Sequence, residues 1–202
     1  MKKEFLSYKT VRNNAIKLAY DIYRDNFVPD VIYVSLRGGA YLGNILSEYF
    51  KFVRTDKHPI FYAAVVARSY TGIGQQEGIK IDGWTYDPEY LRSGDKVLLV
   101  DDIFDSGKTI NKLVEVILEK GIPEEDVRVA VHDYKEIQYY EKKMPVKPYY
   151  YCRKHVIPTK EDEIWIHYSS HELVGLSAEE LENHYFSEDP GLREALSIFS
   201  QS

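Results

Sequence analysis

Short apolar runs alternating with stretches of helical periodicity constrain this chain more than any other feature. "VIYVSL" (31–36), "IFYAAVVA" (60–67), "KVLLV" (96–100) and "VRVAVH" (127–132) are each nearly continuous in apolar residues, the pattern of strands buried on both faces of a parallel sheet. Ahead of the first run, Val11, Ala15, Ile16, Leu18, Ala19 and Ile22 recur at helical spacing from about Thr10 to Asp25, with Thr10 placed as an N-cap and Pro29-Asp30 as the break. "RGGAYLGNILSEYF" turns through glycines into a second helix. "TINKLVEVILEKG" sets Ile110, Leu113, Val114, Ile117 and Leu118 on one helical face, with Gly121 as its stop. Strand and helix in alternation predict an α/β fold, a mainly parallel sheet flanked by helices with right-handed crossovers. In such folds ligands bind at the carboxyl ends of the strands.

Two regions depart from the alternation. "RSYTGIGQQEGIKIDGWTYDPEYLRSGD" (68–95) is too long for an ordinary connection, so it is a functional loop or a hairpin carrying one. From about Met144 the regular order is lost; "YYYC" and "EIWIHY" are expected as strands of a small hood or flap, and residues 178–199 as one or two surface helices. The chain is read as one domain over 1–202, with a core at about 8–143 and a C-terminal hood and tail at about 144–202.

A chain of 202 residues with 44% hydrophobic content can bury one sizeable core. Its formal charge of −6 weighs against a nucleic-acid or membrane-surface partner, so an anionic ligand needs a local site. Cys152 is the single cysteine; it has no intramolecular disulfide partner and reads as a structural, buried thiol. "MKKEFLSYKTVRN" lacks the apolar stretch of a signal peptide, and no window nears the roughly 18 apolar residues of a membrane span. A cytoplasmic protein is the expectation. The 18 tyrosines cluster in "IQYYEKK" and "KPYYYCRK" without a fixed period.

Charge of both signs gathers in "VLLVDDIFDSGKT" (97–109). A turn of small residues entering a helix makes an anion site, because unpaired backbone N–H groups and the positive end of the helix dipole converge there. Ser106, Gly107, Lys108 and Thr109 supply such a turn, with two hydroxyls and a lysine suited to a phosphate monoester. The adjacent pair Asp101-Asp102 suits hydroxyl groups or a divalent cation held through water. Together they point to a sugar phosphate with free hydroxyls. Asp105, between pair and turn, is placed to meet a group that becomes positive or loses a proton. Taken singly, Asp-Ser-Gly is a common turn and an acidic pair a common solvated loop; the strand before and the helix after distinguish this stretch. A nucleotide-binding P-loop does not fit, since the glycine required five residues before Gly107 is Asp102.

All thirteen positions of "VLLVDDIFDSGKT" resemble the ribosyl-diphosphate motif of the type I phosphoribosyltransferases: hydrophobic residues, two acidic residues, then D-[ST]-G-x-T. The resemblance implies that Asp101 and Asp102 contact the ribose hydroxyls of 5-phosphoribosyl 1-diphosphate (PRPP). It implies that Asp105, Ser106, Gly107, Lys108 and Thr109 wrap the 5-phosphate and that Asp105 also faces the incoming base as the catalytic residue. "SLRGGA" is similar to the family's diphosphate loop, with Arg37 and Gly38 on the diphosphate and a Leu36-Arg37 peptide that is often cis. Ser69-Tyr70 stands where the 6-oxopurine members carry a lid that closes over the diphosphate and keeps water from an oxocarbenium-like sugar.

In the 6-oxopurine members, resembling the hypoxanthine-guanine enzymes, a lysine just beyond the fourth strand meets the 6-oxo group and an aromatic residue stacks on the base. "AVHDYKE" offers Lys135, with Lys142 and Lys143 as substitutes; "EIWIHYSSHEL" offers Trp165, the backbone around Ile166, and Glu172 seven residues past the tryptophan as a metal-side acid acting mostly through PRPP and water. Trp165 is equally well read as core filling. The reaction implied is magnesium-dependent transfer of phosphoribose from PRPP to N9 of hypoxanthine, guanine or xanthine, with diphosphate released, in a homodimer. The alternatives are a phosphoribosyltransferase for another base and a PRPP-sensing regulator of the same fold. A regulator is expected to lose Asp105 or the lid, or to add a basic recognition helix. The chain does none of these.

Overall fold

The computed structural model describes residues 2–56, 58–71, 77–140 and 144–196, with the side chains of 69–71 and 77 outside that description. In chain order the regular elements are β1 (Lys2–Leu6), α1 (Tyr8–Arg24), β2 (Val31–Leu36), α2 (Gly39–Val53), β3 (Phe61–Thr71), β4 (Glu77–Trp84), β5 (Val97–Phe104), α3 (Lys108–Glu119), β6 (Val127–Ile137), β7 (Tyr150–Ile157), β8 (Ile164–Tyr168), α4 (Ala178–Leu181) and α5 (Leu192–Leu196). The chain divides into two compact units, one of residues 9–163 and one of residues 1–8 with 164–202.

The large unit is a six-stranded sheet in the order β4-β3-β2-β5-β6-β7, parallel throughout except for the antiparallel β3–β4 pair. The continuous apolar runs are continuous because both faces are covered. Tyr33, Leu99 and Val129 enter a core built with Ile110, Leu113 and Ile117 of α3. Ile32, Val34, Leu98 and Val100 point the other way, toward Ala15, Leu18 and Ile22 of α1 and Leu42, Leu46 and Phe50 of α2. Each Val, Leu, Ile or Phe among these, fully buried, contributes about 1.5–3 kcal/mol. Parallel pairing then brings the carboxyl ends of β2, β5 and β6 to one edge of the sheet.

Several boundaries differ from expectation. α1 begins at Tyr8, so Thr10 lies in its first turn rather than capping it. The first part of the 68–95 stretch is a hairpin of β3 and β4, with Ser69 paired to Ile79 and Tyr70 to Gly78; residues 72–76 lie outside the described residues. β5 runs four residues past Val100, because Asp101, Ile103 and Phe104 stay in register with Val131, Asp133 and Tyr134 of β6. "YYYC" belongs to β7, an edge strand parallel to β6 in the main sheet, and not to a flap.

In the small unit β8 pairs in parallel with β1, Lys2 against Ile164 through Leu6 against Tyr168. Buried His167 meets the Tyr185 hydroxyl at 3.0 Å. Lys3 binds the Gly175 carbonyl and Glu180. α4 opens on a capping box between Ser177 and Glu180.

Candidate active site

The sheet edge opens on the β2–α2 loop, which packs against the acidic pair. A Cβ on Gly38 would lie 2.2 Å from Asp102 Oδ2, and one on Gly39 would lie 2.5 Å from the Val100 carbonyl oxygen. Glycine is needed there for close approach, and the Leu36-Arg37 peptide that leads into the loop is cis, as the resemblance implies. Arg37 is exposed and stands at the rim. The "RGGA" and "DDIFDSGKT" stretches, about 60 residues apart in sequence, therefore form one surface.

Asp101 and Asp102 lie within the last half of β5, where each carboxylate accepts from the next backbone amide: Asp102 N–H to Asp101 Oδ1 at 3.0 Å and Ile103 N–H to Asp102 Oδ1 at 2.8 Å. The Asp101 carboxyl is pushed well above the usual carboxylate value by burial and then by the neighbouring Asp102 charge; the Asp102 amide and the buried Ser35 hydroxyl act against both. A site that raises a carboxyl in this way gains from hydroxyl donors or a cation, which restore the charged form.

Past Phe104 the chain turns through Gly107, whose φ of +75° lies in the left-handed region. A Cβ there would meet the Phe104 ring at 2.3 Å, so conformation and space both demand glycine. α3 begins one residue later, and its first-turn amides have no acceptor within the helix. The Ser106 hydroxyl accepts from Lys108 N–H at 3.4 Å. Asp101, Asp102, Ser106, Gly107 and Thr109 share a cavity of about 220 Å³. The geometry fits an anion at the turn with hydroxyls at the acids.

Asp105 also lines this cavity and forms an ion pair with Lys135, Nζ to Oδ1 3.2 Å. Lys135 is the ninth residue of β6 rather than a residue beyond it. A second cavity, about 310 Å³, opens beside the pair and includes Ser106, Tyr134, Tyr140 and Met144. Lys142 and Lys143 lie outside the described residues. In the small unit Ile166 is buried and Trp165 is about half exposed. Trp165 Nε1 donates to Glu172 Oε2 at 3.4 Å, and His167 Nδ1 lies 3.1 Å from the same oxygen.

Two features escaped the sequence reading. Asn111 on α3 donates to the Gly107 and Val146 carbonyls and accepts from Val146 N–H, tying the turn at Gly107 to the β6–β7 connection. Wholly buried Asp133 is bracketed at 2.6 Å by His132 Nδ1 and by His155 Nε2, with Arg153 at 3.5 Å.

The phosphoribosyl transferase domain family matches residues 3–163. The chain belongs to that family. Within it, the chain is 23% identical over 173 residues to the bifunctional protein PyrR of Halalkalibacterium halodurans, covering 81% of this chain and 89% of that one. A purine phosphoribosyltransferase from Pyrococcus horikoshii has the same fold, with a TM-score of 0.65, 24% identity, and coverage of 88% of this chain and 99% of the other. So does a hypothetical protein from Neisseria gonorrhoeae with bound ppGpp, at TM-score 0.64 and 22% identity, covering 96% and 97%. The fold expected from the alternation and the family expected from the thirteen-residue motif are both present. Among the described residues no helix is long and apolar enough to cross a membrane.

Proposed function

We propose that this phosphoribosyl transferase moves the 5-phosphoribosyl group of PRPP to N9 of a 6-oxopurine, with magnesium, releasing diphosphate and a nucleoside monophosphate. The observation that carries the reading is the contact of Gly38 with Asp102, which joins a diphosphate loop to ribose-binding acids. Asp105 lines the same cavity as Asp101 and Asp102 and is ion-paired to Lys135.

In this reading the turn from Ser106 to Thr109 holds the 5-phosphate through backbone amides, hydroxyls and Lys108. Asp101 and Asp102 accept from the ribose hydroxyls, and Arg37, Gly38, Ser69 and Tyr70 serve the diphosphate. As the bond from C1 of the ribose to the diphosphate oxygen breaks, the purine N9–C1 bond forms. The purine's ring proton passes to the Asp105 carboxylate, which also faces the positive charge that builds on the sugar. Lys135 donates to the 6-oxo group.

Among the described residues no group of three or more His, Cys, Asp or Glu is arranged to hold a metal alone. Adjacent Asp101 and Asp102 do fit a hard cation that takes its remaining oxygens from the substrate and water. Magnesium held there would supply charge neutralisation to the departing diphosphate. A homodimer in the cytoplasm completes the reading, with light scattering as the check on the dimer.

Thermal melting with PRPP and magnesium against ATP and magnesium tests the assignment. A ligand that binds only the folded state at a hundredfold excess over Kd stabilises by about 2.7 kcal/mol. PRPP is expected to shift the melt and ATP to leave it; the reverse sinks the reading. A panel of purines and pyrimidines with PRPP, scored by diphosphate release, identifies the base, and ppGpp, bound in the Neisseria relative, enters as a competitor for the phosphate sites.

A further inference from the structure

The β6–β7 connection opens with two tyrosines that the motif leaves without a task. Gln138 N–H donates to the Ile157 carbonyl at 2.9 Å, and the Tyr139 hydroxyl donates to Glu163 Oε1. The first bond fixes the start of the connection against the end of β7, and the second ties it to the residue before β8. The Tyr139 ring then meets the Tyr140 ring edge to face, 5.1 Å between centroids and 75° between planes. Tyr140 is held by this buttress at the wall of the 310 Å³ cavity that also contains Asp105 and Lys135. Its hydroxyl is pushed upward by burial first, then by the charges of Asp105 and Glu163, with Lys108 opposing. The ring nonetheless stays 39% exposed, which core filling does not explain.

We propose that Tyr140 is a specificity-determining residue whose ring covers the acceptor base in this cavity. The inference rests on the phosphoribosyl-transfer reading and deepens it. The cavity offers a largely buried ammonium, a more exposed carboxylate beside it, and an aromatic ring held by a second ring. That set matches a flat heteroaromatic base with an oxo group for Lys135 and a ring nitrogen whose proton goes to Asp105. Stacking strength grows with the area of the π-face, so a two-ring base gains more from Tyr140 than a one-ring base. The structure assigns the stacking to Tyr140 of the large unit and leaves Trp165 its hydrogen bond to Glu172.

Steady-state kinetics of Tyr140→Ala, Tyr140→Leu and Tyr140→Phe test it, with KM for base and for PRPP measured separately. Tyr140→Ala is expected to raise KM for the preferred purine about tenfold or more, the usual loss when an aromatic partner of a base is truncated. Tyr140→Leu should fall between, and Tyr140→Phe should stay within about twofold, because the π-face is kept. KM for PRPP should hold in all three, which also reports an intact fold. A purine KM within about twofold of wild type in Tyr140→Ala, or equal rises for both substrates, overturns the proposal. So does a Trp165→Ala variant that loses purine binding where Tyr140→Ala loses none. Wild-type protein that transfers phosphoribose to no base sinks the functional reading together with this one. Active wild type beside an indifferent Tyr140→Ala sinks this one alone.

Discussion

Lys135 Nζ lies 3.2 Å from Asp105 Oδ1, with the lysine side chain 8% exposed and the aspartate 57% exposed. The pair is one-sided: its cation is fixed within β6, while its anion faces the open site. In the proposed reaction a carboxylate so placed would stand beside the base and could take a proton from it. Asp105→Asn preserves shape and any turn-capping bond but removes the basicity. PRPP affinity should fall little while kcat falls by roughly 10² to 10⁴, the ordinary worth of a general base. A kcat within about threefold of wild type, less than 1 kcal/mol in barrier, would leave Asp105 with only a turn to cap.

Lys135→Ala should separate the two substrates. A hydrogen bond to a charged donor contributes about 1.5–3 kcal/mol, so KM for a 6-oxopurine should rise about tenfold or more while KM for PRPP changes little. The exposed Asp105 can be rehydrated when its partner is lost, which keeps the fold out of the result. Equal loss for both substrates would move the base contact away from Lys135.

Gly38 and Gly39 should respond differently to alanine, because different atoms stand in the way. The obstacle at Gly38 is the Asp102 carboxylate, a side chain that can rotate aside; at Gly39 it is the Val100 carbonyl and the Asp101 backbone, within a strand that cannot. Gly38→Ala should therefore weaken PRPP binding about tenfold or more with a small change in melting temperature. Gly39→Ala should destabilise the protein itself by about 1–3 kcal/mol, the typical range for overpacking. Melting curves with and without PRPP distinguish the two, and identical behaviour would count against the packing described.

The strands that could be read from sequence were those whose burial is written in their own side chains. β2 matches the run Val31 to Leu36 residue for residue, because both its faces are covered. The extension of β5 through Asp101, Asp102 and Ile103 was not legible, since a ladder binds backbone to backbone and accepts acidic residues where the site wants them. β1, "KKEFL", has no local signal at all; its pairing lies in β8, at the far end of the chain. β7 mixes tyrosine, arginine, lysine and histidine because most of its side chains are only partly covered, and the expectation of a flap strand followed from the loss of regular alternation past Met144. At the candidate site, the thirteen-residue motif marked the turn at Gly107 and the acidic pair. The Asp133 cluster required the cross-strand register that sets Asp133 beside Arg153 and Lys135 beside His155, which no spacing along one strand reveals.

Asp101 should reveal a conflict between stability and ligand binding. Its carboxyl stands well above its ordinary value of 3.8, through burial and the charge of Asp102. The folded protein thus keeps a proton that the unfolded chain gives up near 3.8, so its stabilising effect is complete below that pH. The effect is lost as pH rises through the higher folded value. Asp101→Asn removes this ionisation. Without ligand the variant should show a flatter dependence of stability on pH above about 4 and should melt higher than wild type at neutral pH. The substitution also replaces a charged acceptor that PRPP hydroxyls and a cation would use, so stabilisation by PRPP with magnesium should shrink. Melting both proteins over roughly pH 4 to 9, with and without those ligands, reads both effects at once. Parallel pH profiles would show that the buried acid carries no charge penalty, and an undiminished PRPP shift would remove Asp101 from the ribose site. A variant both more stable alone and less stabilised by PRPP is what a site that sacrifices stability for function requires.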